Sequence, residues 1–135
     1  MEKTIRVETP VQIRFEDTDM YGHVNNTNIQ SYFDIGKCDY YVKVFKIPML
    51  HIEKGLIGKA NSNVYEAQTR FGEELVVYTE IQKVGTKSMT FYQEIHNRHT
   101  GELKAYSTAV LVAYNFHEQE TIPVPEEWKR AMVGE

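Results

Sequence analysis

One cysteine, no apolar stretch long enough to cross a bilayer and no excess of positive charge characterise this chain of 135 residues. Each shortage excludes something. A lone Cys38 has no partner for an internal disulfide, so the fold must hold without one, and a reducing cytoplasm is the compartment this composition predicts. A membrane-spanning helix needs about 20 consecutive apolar residues, and no run approaches that. Fifteen Lys and Arg against nineteen Asp and Glu give a net charge of −4, which argues against wholesale binding of nucleic acid. The opening MEKTIRVETP lacks the apolar core of a secretory signal. There is no G-x-S-x-G elbow, no glycine-rich phosphate loop, no internal repeat and no low-complexity tract or linker. His96 and His99 have a metal-like spacing, but they fall beside a turn with no cysteine or third histidine nearby, so no metal site is expected.

What is present fits one globular domain over residues 1–135, with 41% hydrophobic and 25% charged residues. In VQIRF the alternation of Val11, Ile13 and Phe15 against Gln12 and Arg14 predicts a half-buried strand. From Asn28 the period changes, and Ile29, Tyr32, Phe33, Gly36 and Tyr40 fall at helical spacing up to about Phe45, ahead of Pro48. Ile35, Val42 and Phe45 are apolar too. The polar stripe is therefore narrow, carried by Gln30, Asp34 and Lys37, and the helix is expected to be buried round most of its circumference. Strands follow over Lys59 to Gln68, Glu74 to Val84, Ser88 to Asn97 and Glu102 to Asn115, separated by turns at Gly72, Gly85-Thr86 and Asn97 to Gly101. The last three read as antiparallel hairpins, and a short helix over Glu126 to Met132 follows Pro123 and Pro125. An α+β arrangement results, an antiparallel sheet wrapped around one long central helix. A mid-helix glycine costs about 1 kcal/mol relative to Ala, and Gly36 is best explained by close approach of another backbone.

Between the first strand and the helix stands RFEDTDMYGHVNN, Arg14 to Asn26. The order strand, D-T-D-x-x-G-H-V-N-N, aromatic helix and four strands resembles the hotdog-fold acyl-CoA thioesterases of the 4-hydroxybenzoyl-CoA thioesterase type. Arg14-Phe15, Asp17-Thr18-Asp19, Gly22 to Asn26 and Tyr32-Phe33 carry the likeness, with Gly72 to Leu75 and Lys87-Ser88 as weaker support. One departure is visible. Many relatives have Glu-x-Ala-Arg in the helix where this chain has Asp34-Ile35-Gly36-Lys37.

The resemblance implies hydrolysis of an acyl thioester to a carboxylic acid and free coenzyme A, with Asp19 as the catalytic carboxylate. Asp19 is then either a nucleophile or a general base. The first amides of a helix have no internal partners and sit at the positive end of its dipole, so those of Asn26 and Thr27 are suited to polarise the thioester carbonyl. The same terminus is expected to keep Asp19 ionised. His23 is a candidate for orienting the thioester or water, and Gly22, Val24 and Asn25 for holding substrate. Asp17 is read as structural in the loop. Asn25 and Asn26 can equally be plain helix caps. Lys83, Lys87 and Ser88 flank a turn and are candidates for the coenzyme A phosphates, while Tyr65, Phe71, Phe91 and Tyr92 are channel or core aromatics. Cys38 is read as a small packing residue, away from any group that would activate a thiolate. No cofactor is expected beyond the coenzyme A that is part of the substrate. The implied partners are that small molecule and further copies of the chain, as a homodimer or homotetramer paired edge to edge, with no nucleic acid and no membrane. A non-catalytic acyl-thioester binding module and an acyl carrier protein thioesterase are the alternatives.

Overall fold

A computed structural model describes residues 3–48, 50 and 52–135. Six antiparallel strands and two helices follow one another as β1 (Val7–Gln12), α1 (Asn26–Lys43), β2 (Lys54–Tyr65), β3 (Glu74–Val84), β4 (Ser88–Asn97), β5 (Leu103–Asn115), β6 (Glu120–Thr121) and α2 (Glu126–Met132). The sheet order is β1-β3-β4-β5-β2, with β6 paired to β5. The three hairpin strands and α2 lie where the sequence pattern puts them. No helix among the described residues is long and apolar enough to cross a membrane.

Two strands are displaced from their expected positions. β1 runs through Pro10 and stops at Gln12, because β1 pairs only with β3 and an edge strand tolerates a residue without an N–H. The buried Asp17 carboxylate then accepts from the Arg14 amide at 3.1 Å and winds the chain into a 3₁₀ turn over Phe15–Asp17. Phe15 is consequently 78% exposed instead of sharing the inner face with Val11 and Ile13. β2 begins earlier than expected, through Gly55 and Gly58, with a register shift between Gly58 and Ala60. It ends at Tyr65, where the amides of Glu66 and Ala67 both donate to the Lys104 carbonyl (2.9 and 3.1 Å).

α1 packs one face onto β1, β3 and β4, burying Ile29, Tyr32, Phe33, Gly36 and Tyr40. Its opposite side carries exposed Ile35 and Val42, so burial round most of its circumference is not what the chain adopts. The stripe of Gln30, Asp34 and Lys37 faces β2, and Lys37 is only 7% exposed. A Cβ on Gly36 would lie 2.7 Å from Val77 Cγ1 and 2.9 Å from both Thr79 Oγ1 and Gln93 Nε2. The close approach is thus to sheet side chains, not to another backbone. Beneath that glycine a polar belt of Thr79, Gln93 and Ser107 crosses the inner face and divides the core in two. Gln93 Nε2 donates to Phe33 O (2.8 Å) and Thr79 Oγ1 (2.9 Å), fixing the helix height over the sheet. α2 closes the far end, Trp128 stacking on Phe45 at 5.1 Å. The near end is left to the loop that precedes α1.

Candidate active site

That loop is a tight turn folded around its own carboxylate. Asp19 N donates to His23 O (2.8 Å) and Gly22 N to Asp19 O (3.0 Å), while Asp19 Oδ1 accepts from the amides of Tyr21 (2.8 Å) and His23 (3.1 Å). Gly22 makes the turn at φ +77°, a left-handed conformation costly for any residue with a Cβ. The His23 and Tyr21 amides hold the Asp19 carboxyl below the usual aspartate range. The stabilisation comes first from these loop amides. Asp19 is exposed, and its Oδ2 has no partner among the described residues, so one oxygen is held and the other is available.

The next turn of chain starts α1. Asn25 caps it, its Oδ1 accepting from Asn28 N at 3.1 Å, so Asn25 satisfies a helix-end amide as an N-cap should. The amides of Asn26 and Thr27 find no acceptor among the described residues. Both residues line one cleft of about 650 Å³ together with Asp19, His23, Val24 and Asn25. Asp19, Asn26 and Thr27 therefore line one hollow, with one oxygen of the first and the amides of the other two unpartnered among the described residues.

Of the facing wall, the sequence pointed only to Tyr65, as a channel or core aromatic. The wall comes from Tyr65 to Thr69 at the end of β2 and from Lys104 and Ala105 on β5. Two backbone bonds staple it to the loop, Val24 N to Thr69 O (2.8 Å) and Phe71 N to Gly22 O (2.9 Å). Lys104 is buried behind it, its ammonium on Glu73 Oε2 (2.8 Å), Glu102 Oε1 (2.5 Å) and the Gln68 carbonyl (3.1 Å). Burial alone would lower the Lys104 pKa, but Glu102 and Glu73 outweigh it and raise it. Burial would likewise raise Glu73, yet Lys104, Asn97 and the Arg70 amide bring it below its ordinary value. Besides Tyr65, the sequence signal for this wall is a lysine within the otherwise mostly apolar β5.

Asp17 takes a different direction from Asp19. It is 1% exposed, paired with Arg14 Nη2 at 2.9 Å and accepting from the Tyr32 phenol at 2.7 Å. Burial pushes its pKa up, and Tyr32 and Arg14 more than reverse that, leaving it lowered. Tyr65 lines the cleft, Phe91 is core, Phe71 packs edge-on against Phe15 (5.9 Å) and the Tyr92 hydroxyl donates to Glu94 (2.6 Å). Cys38 is exposed rather than packed, its thiol pKa raised by partial burial and by Asp34, so it is no activated nucleophile. The His96 ring nitrogens meet Glu94 and Gly101 O, and the His99 ring meets Glu74. Lys83, Lys87 and Ser88 are not brought to the cleft of their own chain. Ser88 pairs with Val112 at the end of the sheet opposite Ala105.

A model of the thioesterase-like superfamily matches residues 13–132. An uncharacterised protein of Bacillus subtilis, YsmA, is 29% identical over 82 residues, which are 61% of this chain and 55% of that protein, so the chain spans about half the length of this curated relative. Among solved structures, the PA5185 protein of Pseudomonas aeruginosa superposes with a TM-score of 0.86 at 21% identity, over 93% of this chain and 88% of that one. A predicted thioesterase from Bacillus stearothermophilus gives 0.81 at 26% identity, over 95% and 94%. A thioesterase from Thermus thermophilus, crystallised with coenzyme A and zinc, gives 0.79 at 23% identity, over 92% and 94%.

Proposed function

Because the chain belongs to the thioesterase-like superfamily, we propose that it hydrolyses an acyl-CoA thioester to a carboxylic acid and free coenzyme A, with Asp19 as the reacting carboxylate. The observation that carries this reading is the shared cleft, which Asp19, Asn26 and Thr27 all line while one Asp19 oxygen and both amides are unpartnered among the described residues. The thioester carbonyl would accept from the two amides, whose partial positive charge strengthens as the oxygen gains negative charge. One such donor is worth about 3 kcal/mol in a transition state. As general base, Asp19 Oδ2 takes a proton from water as the hydroxyl oxygen bonds to the carbonyl carbon; the C–S bond then breaks and the thiolate leaves. As nucleophile, Oδ2 bonds to that carbon itself, the C–S bond breaks and the thiolate leaves, and water then opens the mixed anhydride to release the acid and restore Asp19. His23 lines the same hollow and would orient the water or the sulfur, while Val24 and Asn25 line the loop side of the acyl entrance and Gly22 makes the turn beside it. No group beyond the chain and the incoming coenzyme A is required, and a cytoplasmic setting suits such a substrate.

The site is proposed to be completed by a second copy. β2 forms an edge of the sheet along Lys54–Tyr65, with Ile57 and Val64 exposed on it. An unpaired edge of that length invites a strand, and a two-fold axis normal to the sheet joins two β2 strands antiparallel with both α1 helices on one side. The wrapped-sheet hotdog arrangement is read in that pair. The same axis carries the far-end turn of the second copy, with its Lys83, Lys87 and Ser88, towards the near end of the first. In this arrangement those side chains reach coenzyme A phosphates that they do not approach in their own chain.

Release of free thiol from a panel of acyl-CoA and acyl carrier protein thioesters tests the proposal. Turnover of an acyl-CoA by the folded protein is expected. Binding of acyl-CoA without release from any member would turn the cleft into an acyl-thioester binding module, and release from the carrier protein alone would make it the other kind of thioesterase.

A further inference from the structure

The chain from Glu66 to Glu73, which supplies part of the wall facing Asp19, is a thin partition. A second hollow of about 500 Å³ lies on its other side, and Ala67, Gln68 and Lys104 line both spaces. Among the described residues, the hydrogen bonds that tie this partition to the sheet come from Lys104 and Asn97. The Lys104 carbonyl accepts from the amides of Glu66 and Ala67, and its ammonium reaches Gln68 O (3.1 Å) and Glu73 Oε2 (2.8 Å). Asn97 Nδ2 donates to the same Glu73 oxygen at 2.8 Å, and Glu73 Oε1 accepts from Arg70 N at 2.9 Å. Glu102 Oε1 holds the ammonium from outside the partition at 2.5 Å. Three acceptors thus meet the three N–H groups of a side chain only 4% exposed.

The partition in turn carries the turn around Asp19. Thr69 O accepts from Val24 N and Phe71 N donates to Gly22 O, one bond on each side of His23, and Arg70 stands opposite His23 as its bridge partner. The His23 amide is one of the two that hold Asp19 Oδ1. Contacts therefore run without a break from the Lys104 ammonium, through Gln68 to Glu73, to the Asp19 carboxylate. We propose that Lys104 is a positioning residue for hydrolysis, clamping the partition and so fixing the turn that holds Asp19 in the cleft. The inference rests on the reading of Asp19 as the reacting carboxylate. With hollows on both faces, Ala67 and Gln68 have room to shift once the ammonium is removed. A displacement of about 1 Å at a reacting group can cost about 10²-fold in rate.

The test measures kcat and KM separately for Lys104→Met and for Glu73→Ala, using the acyl-CoA that the unaltered protein turns over best. Glu73→Ala leaves Lys104 on Glu102 and so buries no unmatched charge. Urea unfolding and hydrogen exchange of the Val24 and Phe71 amides are read on the same proteins. Folded Lys104→Met is expected to lose at least about tenfold in kcat with KM little changed. The Val24 and Phe71 amides should exchange faster while those of α1 keep their protection. Glu73→Ala should give the same pattern to a smaller degree, and it decides by the same readings should Lys104→Met not fold. A folded variant that loses stability but keeps its kcat overturns the inference, because a purely structural ion pair would behave so. A loss confined to KM overturns it too, and failure of both variants to fold makes the clamp a requirement of the fold instead. If the unaltered protein cleaves no thioester, the hydrolysis reading fails and exchange decides the clamp alone. Faster exchange at Val24 and Phe71 only then supports it, and exchange unchanged there, or raised equally in α1, overturns it.

Discussion

Asp17 and Asp19 differ in what their oxygens face, Asp17 an arginine and a buried phenol, Asp19 two loop amides on one side and open cleft on the other. Asp19→Asn keeps an Oδ1 acceptor for the Tyr21 and His23 amides, so the loop should hold its shape while turnover falls at least ~10²-fold, the lower range for a positioned proton-transfer group. Circular dichroism with steady-state kinetics would check both halves. Asp17→Ala strands the Tyr32 hydroxyl and frees Arg14, and should cost about 2 kcal/mol of stability in urea unfolding. Its loss of turnover should be the smaller of the two. The carboxyls also set different pH responses. The role proposed for Asp19 needs its carboxylate form and its pKa is lowered, so the acid limb of kcat/KM should lie below 3.8, the ordinary aspartate value. Asp17 and Glu73 have folded pKa values below their unfolded ones. Their contribution to stability is therefore full above about 4, the unfolded value, and disappears as pH falls through the folded values. Asp17→Asn should flatten the stability profile in that acid window, as read by unfolding midpoints at stepped pH.

At the scale of elements, α1 has its place set from both sides of Gly36. A Gly→Ala change inside a helix ordinarily gains about 1 kcal/mol. Here the added methyl would enter the space of Val77, Thr79 and Gln93, the last of which also ties Phe33 O to the sheet. Overpacking a filled core costs about 1–3 kcal/mol, so Gly36→Ala should lower stability despite the better helix former, and thermal unfolding would show the sign. The sequence pattern found the buried face of α1 because spacing reports on which residues lie together. It assigned the polar stripe to the outside because spacing cannot report what lies opposite, and here β2 lies opposite with Asn61 and Asn63.

For the whole molecule, the open β2 edge predicts association. Sedimentation in neutral buffer should give at least twice the chain mass of 15.7 kDa. Lysines at Ile57 and Val64, both exposed on β2, should oppose strand pairing and reduce the mass to that of the monomer, with loss of turnover if the phosphate-binding end comes from the second copy. A monomer of full activity would exclude the shared site.

The sequence alone determined the residues that meet locally. The spacing from Asp19 to Thr27 already holds the carboxylate, the left-handed Gly22 and the start of the helix within nine residues, because a turn followed by a helix cap is built from near neighbours. Hairpins β3 to β5 were legible for the same reason. Tertiary structure alone decided which end of the sheet faces the loop. It placed Lys104 and Thr69 across the cleft, moved Lys83, Lys87 and Ser88 to the other end, and set β2 at the edge beside β5 rather than beside β3. These relations join residues some forty to eighty positions apart. They depend on how packed layers are stacked and which strand order closes the core, and periodicity along the chain carries no term for either.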